Sequence, residues 1–148
     1  MKRTLAAALC LLIAPALAQD NPFSGFRGKV REGNWEYRMQ MEMPGMPMKM
    51  PEQVVNRCVM PQDVDKGGFA SKDGKVPDGC TFSNMKFAGD TATWTMNCVK
   101  DPKMKVDSNI VFGKDSFTMK QKMEMTEQGQ PMTMNQTMLG RYTGPCKK

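Results

Sequence analysis

Residues 117–138 read FTMKQKMEMTEQGQPMTMNQTM, two runs of alternating character with a glycine between them. Phe117, Met119, Gln121, Met123 and Met125 take every second position in the first run; Met132, Met134, Gln136 and Met138 do so in the second. A period of two sorts side chains onto the two faces of a strand, which the 3.6-residue period of a helix cannot do. Gln128-Gly129 between the runs suits a two-residue hairpin turn, because glycine accepts the positive φ such turns require. That turn sets Met125 opposite Met132, Met123 opposite Met134, Gln121 opposite Gln136 and Met119 opposite Met138, all on one face.

The same grammar extends outward. A turn at Lys114-Asp115 sets Ile110 opposite Met119 and Ser108 opposite Gln121, so that Ser108, Gln121 and Gln136 form a polar row across an otherwise apolar face. Mutual hydrogen bonding would satisfy such a row; a wet cavity or ligand site would as well. Alternation recurs in Met104, Val106, Ser108, Ile110 and Phe112; in Ala92, Trp94, Met96 and Cys98; and in Trp35, Tyr37, Met39, Met41 and Met43. Less regular strands are expected at 52–59 and 80–87. Long helical periodicity is absent. The chain therefore reads as all-β: an antiparallel meander forming a curved open sheet or incomplete barrel, with at most short helices. Residues 60–79, with Pro61, Gly67, Gly68, Gly74, Pro77 and Gly79, read as a long loop that opens with a short helix at Pro61–Asp65. Seven strands in simple sequence would bring the first and last together in parallel, so the sheet is expected to stay open, with residues 20–31 covering an edge.

At the N-terminus, Lys2 and Arg3 precede an apolar run from Leu5 to Pro15 and the small-residue triplet Ala16-Leu17-Ala18, the layout of a cleaved secretory signal over residues 1–18. The run is too short to span a bilayer comfortably, so no membrane anchor is expected. Cys10 lies inside the apolar run after Leu9 rather than after a small residue, which argues against lipidation. Residues 19–148 then form a single domain, carrying 19 basic against 15 acidic side chains. The lysines are scattered and not interleaved with aromatics, so nucleic acid is not an expected partner.

Four cysteines remain in the exported part: Cys58, Cys80, Cys98 and Cys146. An even number in an exported chain argues for disulfides, and the absence of histidine and of any C-x-x-C pair removes zinc-ribbon and thioredoxin-like readings. A hairpin centred on Gly89 puts Cys80 opposite Cys98, which predicts the bridges Cys80–Cys98 and Cys58–Cys146.

Gly33-Asn34-Trp35-Glu36, the turn Met43-Pro44-Gly45-Met46-Pro47, the cysteine spacing and the ending Gly140-Arg141-Tyr142-Thr143-Gly144-Pro145-Cys146 resemble the bacterial domain-of-unknown-function family 3617. The resemblance implies an exported, periplasmic protein with this cysteine layout and carries no activity with it.

The chemical anomaly is methionine. Residues 19–148 hold sixteen, against one leucine, Leu139, one isoleucine, Ile110, and nine valines, so methionine is expected to build much of the core. Met46, Met48 and Met50 differ from the strand methionines, because Pro44, Gly45, Pro47 and Pro51 break the ladder around them. Thioether is a soft donor, and with Met43 as the fourth ligand these residues are candidates for Cu(I), the one metal cofactor suggested. Two other readings use the same sulfurs: an oxidant sink, in which exposed methionine cycles through its sulfoxide, and a carrier whose strand methionines line a pocket for a small apolar ligand. Catalysis is not expected, since there is no histidine base, no G-x-S-x-G elbow and no recognised phosphate loop. From the N-terminal layout, intact mass and N-terminal sequencing of the exported protein should give a chain beginning at Gln19; retention of residues 1–18, or lipid on Cys10, overturns this reading.

Overall fold

The computed structural model describes residues 24–45, 50–65, 76–100, 102–127 and 129–147. Seven strands follow in chain order: β1 (Gly33–Glu42), β2 (Gln53–Val59), β3 (Cys80–Ala88), β4 (Thr91–Cys98), β5 (Met104–Phe112), β6 (Ser116–Glu127) and β7 (Gln130–Gly144). A 3-10 turn, Ser24–Phe26, precedes β1, and the short helix α1 occupies Pro61–Asp65, where the sequence predicts it. Its start is capped: Asp63 Oδ2 accepts the Met60 N–H at 3.0 Å, and Pro61 stands at the first helical position, where a missing N–H costs nothing.

One antiparallel sheet runs in the order β2-β1-β7-β6-β5-β4-β3. From β3 to β7 it is the expected meander. The opening lies elsewhere than a simple sequential order implies: β1 pairs antiparallel with β7, Tyr37 opposite Gly140 and Met39 opposite Met138, so the free edges are β2 and β3. Because every neighbouring pair is antiparallel, these edge strands point the same way. The chain between them runs from one edge of the sheet to the other, and the sheet stays open.

The hairpin registers follow the turn chemistry. Met125 faces Met132, Met123 faces Met134, and Ile110 faces Met119. Gly113 N–H donates to Ser116 O at 2.7 Å beneath the Lys114-Asp115 turn. The β3–β4 hairpin reaches its predicted register by another route. Its turn is Gly89-Asp90, which alone would misalign the cysteines by one residue; a bulge between Ser83 and Lys86, with Asn84 at φ 55°, absorbs the difference and sets Cys80 opposite Cys98. The bulge also reverses the strand's facing, so that Phe82 before it and Met85 after it both pack on the core, which explains the irregular pattern of residues 80–87.

Both disulfides pair as expected, Cys80–Cys98 across the hairpin and Cys58–Cys146 between β2 and the C-terminal end. The second closes a loop with a sequence separation of 88 against 18 for the first, and in the chain-entropy account it constrains the unfolded chain more by about 1.4 kcal/mol.

The core occupies one half of the inner face and is aromatic rather than methionine-built. Among the described residues it comprises Phe26, Val30, Trp35, Tyr37, Val59, Val64, Ala92, Trp94, Ile110, Phe112, Phe117 and Met119. Met119 is the single methionine buried in it, and Met85 and Met138 pack against its margin. Residues 24–30 do not cover an edge. Phe26 is inserted into the inner face, edge-on to Phe87, Trp94 and Phe112 at 5.1, 5.5 and 5.9 Å. Across the sheet, Phe117 lies 5.7 Å from Trp35 and 5.9 Å from Tyr37, reaching over β7 at Gly140, where a Cβ would collide with the Phe117 ring. Gly140→Ala should therefore overpack the core and lower stability by about 1–3 kcal/mol in denaturant unfolding, against no more than about 0.5 kcal/mol for Thr137→Ala outside it; equal effects would show that the ring does not need this space.

Candidate functional site

The candidate site is the other half of the same inner face. Unbroken register carries two rows of side chains across the strands there. One runs Cys80, Cys98, Met104, Met125, Met132, and so places sulfur at five consecutive strands; the next runs Phe82, Met96, Val106, Met123, Met134. Met96, Met104, Met123, Met125, Met132 and Met134 are each half-buried, in contrast to Met119, which is 2% exposed. Phe26 and Val64, brought in by the N-terminal turn and α1, are buried in the aromatic half, and neither belongs to the methionine rows.

Between the halves runs the polar row, Ser108 opposite Gln121 and Gln121 opposite Gln136 at the predicted register, with Trp94 opposite Ser108 and Met41 opposite Gln136 at its ends. Gln121 Nε2 donates to Ser108 Oγ at 3.0 Å, which satisfies the serine, only 5% exposed. Gln136 is half-buried, and its carboxamide has no hydrogen bond among the described residues. The row thus combines one internal hydrogen bond with an amide that still has donor and acceptor capacity.

The outer face behind this row is a polar surface with its charges largely matched. A groove of about 320 Å³ is lined by Ser108, Gln121 and Gln136 of the row together with the flanking Asp107, Asn109, Lys120, Lys122, Asn135 and Thr137. Lys105 pairs with Asp107 at 2.8 Å and Lys122 with Glu124 at 2.6 Å. The Lys105 hydrogen bond, joined by one from Thr95, holds the Asp107 carboxyl below its ordinary range. Charges engaged with one another in this way offer little to a ligand.

Of the loop residues singled out as soft-metal ligands, Met43 and Met50 are half-buried, and the Met50 carbonyl accepts from Gln40 Nε2 at 2.8 Å. Met46 and Met48 lie outside the described residues. Continuing the β1–β7 register brings Met43 level with Met134, at the margin of the second methionine row. No group of three or more cysteine, aspartate or glutamate side chains placed to hold a metal occurs among the described residues. No described helix is long and apolar enough to cross a membrane.

One group missed from the sequence is Tyr37. It sits in the core with 6% exposure, and its hydroxyl has no hydrogen-bond partner among the described residues. Alternation marks the residue as inward-facing but not how its oxygen ends. Burial pushes the hydroxyl up to about 12, with Arg57 acting against the shift and Asp63 with it. An unfolded tyrosine loses its proton near pH 10, so the stability linked to neutral Tyr37 is intact below about pH 10 and is lost as pH rises through about 12. Tyr37→Phe removes an unpartnered buried oxygen; it should leave stability at pH 7 unchanged or raised by up to about 1 kcal/mol and shrink the loss between pH 10 and 12. Denaturant unfolding across that range checks this, and an undiminished alkaline loss refutes it.

No curated protein and no solved structure matches the chain. The family described as Protein of unknown function (DUF3617) matches residues 30–146, a span that takes in all seven strands and all four cysteines of both bridges. The chain belongs to that family.

Proposed function

We propose that this is an exported, non-catalytic binding protein, periplasmic or secreted, that carries a small apolar ligand on the methionine half of its inner face. The observation that supports it is the division of one face into a closed aromatic half and a half where six methionines in adjacent rows are only partly buried. Ligand sites are mostly apolar with a few placed polar groups, and Gln136 at the boundary is such a group. Methionine suits the lining, because its unbranched, polarisable side chain adapts to the shape it meets. Export is supported by the signal-like residues 1–18 and by two disulfides, which persist in oxidising compartments. The loop site at Met43, Met46, Met48 and Met50 is not needed for this reading.

N-phenyl-1-naphthylamine, a neutral probe that fluoresces when removed from water, tests the proposal. The exported protein should bind it saturably, and replacing Met123 and Met134 together by glutamine, of similar length but polar, should weaken binding by at least about tenfold, or 1.4 kcal/mol. Absence of saturable binding, or equal binding by a variant whose circular dichroism is unchanged, refutes it.

A further inference from the structure

We propose that Met104, Met125 and Met132 form a three-thioether site for a soft monovalent cation, Cu(I) or its redox-inert counterpart Ag(I). The inference rests on the reading that this half of the inner face is open to ligands. It goes beyond that reading by naming the ligand's chemistry and by placing the site away from the loop.

The geometry is that of the sheet itself. Met104 stands directly opposite Met125, and Met125 directly opposite Met132, on three adjacent strands whose register is unbroken. Directly opposed residues have Cβ atoms roughly 4.5–5.5 Å apart, and neighbouring strands lie about 4.8 Å apart. Met125 is therefore central, with one thioether approaching from each side. Methionine carries its sulfur two bonds beyond Cβ on freely rotating links, so the outer two can lean toward the middle one without moving the backbone. All three are half-buried, partly shielded from water yet within reach of an ion. The Cys80–Cys98 bridge continues the same row and pins the strands at its end, Cys98 standing opposite Met104.

Packing alone does not call for sulfur here. Leucine and methionine exchange in cores at a modest cost, and leucine specifies packing better, yet the row holds three methionines and the domain a single leucine, exposed on β7. Thioethers are soft, neutral donors that favour Cu(I) and Ag(I) over Zn²⁺ or Cu²⁺, and all four cysteines of the domain are oxidised, so no thiolate competes.

The test uses the exported chain with both disulfides intact, in chloride-free buffer, titrated with silver nitrate and followed by calorimetry and by the methyl resonances of its methionines. Wild type should take up Ag(I) saturably, with the Met104, Met125 and Met132 methyls shifting most. Changing these three together to leucine keeps the apolar volume; it should lower Ag(I) affinity at least tenfold while leaving the circular dichroism and thermal unfolding of the chain in place. The triple change of Met46, Met48 and Met50 to leucine should leave Ag(I) binding unaltered. Naphthylamine binding without Ag(I) uptake overturns the metal site and leaves the carrier reading standing. Ag(I) uptake by wild type that the Met104, Met125 and Met132 variant loses, without naphthylamine binding by either, supports the metal site and removes the apolar carrier. Ag(I) binding that survives in the row variant, or is lost in the loop variant, overturns the assignment to this row, and failure of both probes overturns both readings.

Discussion

The ring of Phe117 needs the space that Gly140 leaves empty, and much of the molecule follows from that contact. With no side chain on β7 at this point, Phe117 on β6 reaches across to Trp35 and Tyr37 on β1, and one aromatic cluster spans three strands. Strands far apart in sequence are thereby fastened by dispersion and ring geometry as well as by the backbone ladder. The pairing of β1 with β7 joins the two ends of the domain, and the Cys58–Cys146 bridge locks the neighbouring β2 to the same end.

The cluster lies at one end of the inner face and draws the rest of the core toward it. Phe26 enters from before β1, Val64 from α1, and Arg31 stacks on Tyr142 at 3.4 Å while its guanidinium lies 2.8 Å from Asp115 Oδ1. That carboxylate oxygen has no well-directed hydrogen bond, so the closeness of opposite charges is what compensates its burial. The buried indole of Trp35 is satisfied by the Arg31 carbonyl at 3.0 Å. At the other end no aromatic side chain from β5, β6 or β7 faces inward, and methionine takes its place. The Ser108, Gln121 and Gln136 row marks the boundary, since amides are tolerated where the face turns from sealed to partly wet.

Sulfur gives this division its chemical interest. An aromatic core needs nothing from methionine, and the structure uses almost none there. The residue is concentrated where burial is incomplete and opposed strands stack it into rows. In that position it is both an adaptable apolar surface and a soft donor, two properties leucine does not combine.

Much of the architecture was legible in the sequence because it is local. A two-residue turn and a period of two fix a hairpin's register within about twenty residues, so the polar row, the opposed methionines and the strands β4 to β7 could be read directly. The short helix α1 at Pro61–Asp65 is equally local. The Cys80–Cys98 pairing was legible too, though the bulge at Asn84 that secures it was not, since a bulge answers to packing on both sides of a strand. What tertiary structure alone decided is long-range: β1 docking on β7 instead of standing at an edge, Phe26 filling the core, and Tyr37 burying an unpartnered hydroxyl. Alternation tells which face a methionine is on. Which methionines are sealed and which stay half-buried is a matter of contacts between residues far apart in the chain, such as those that bring Phe26 and Val64 into the aromatic half.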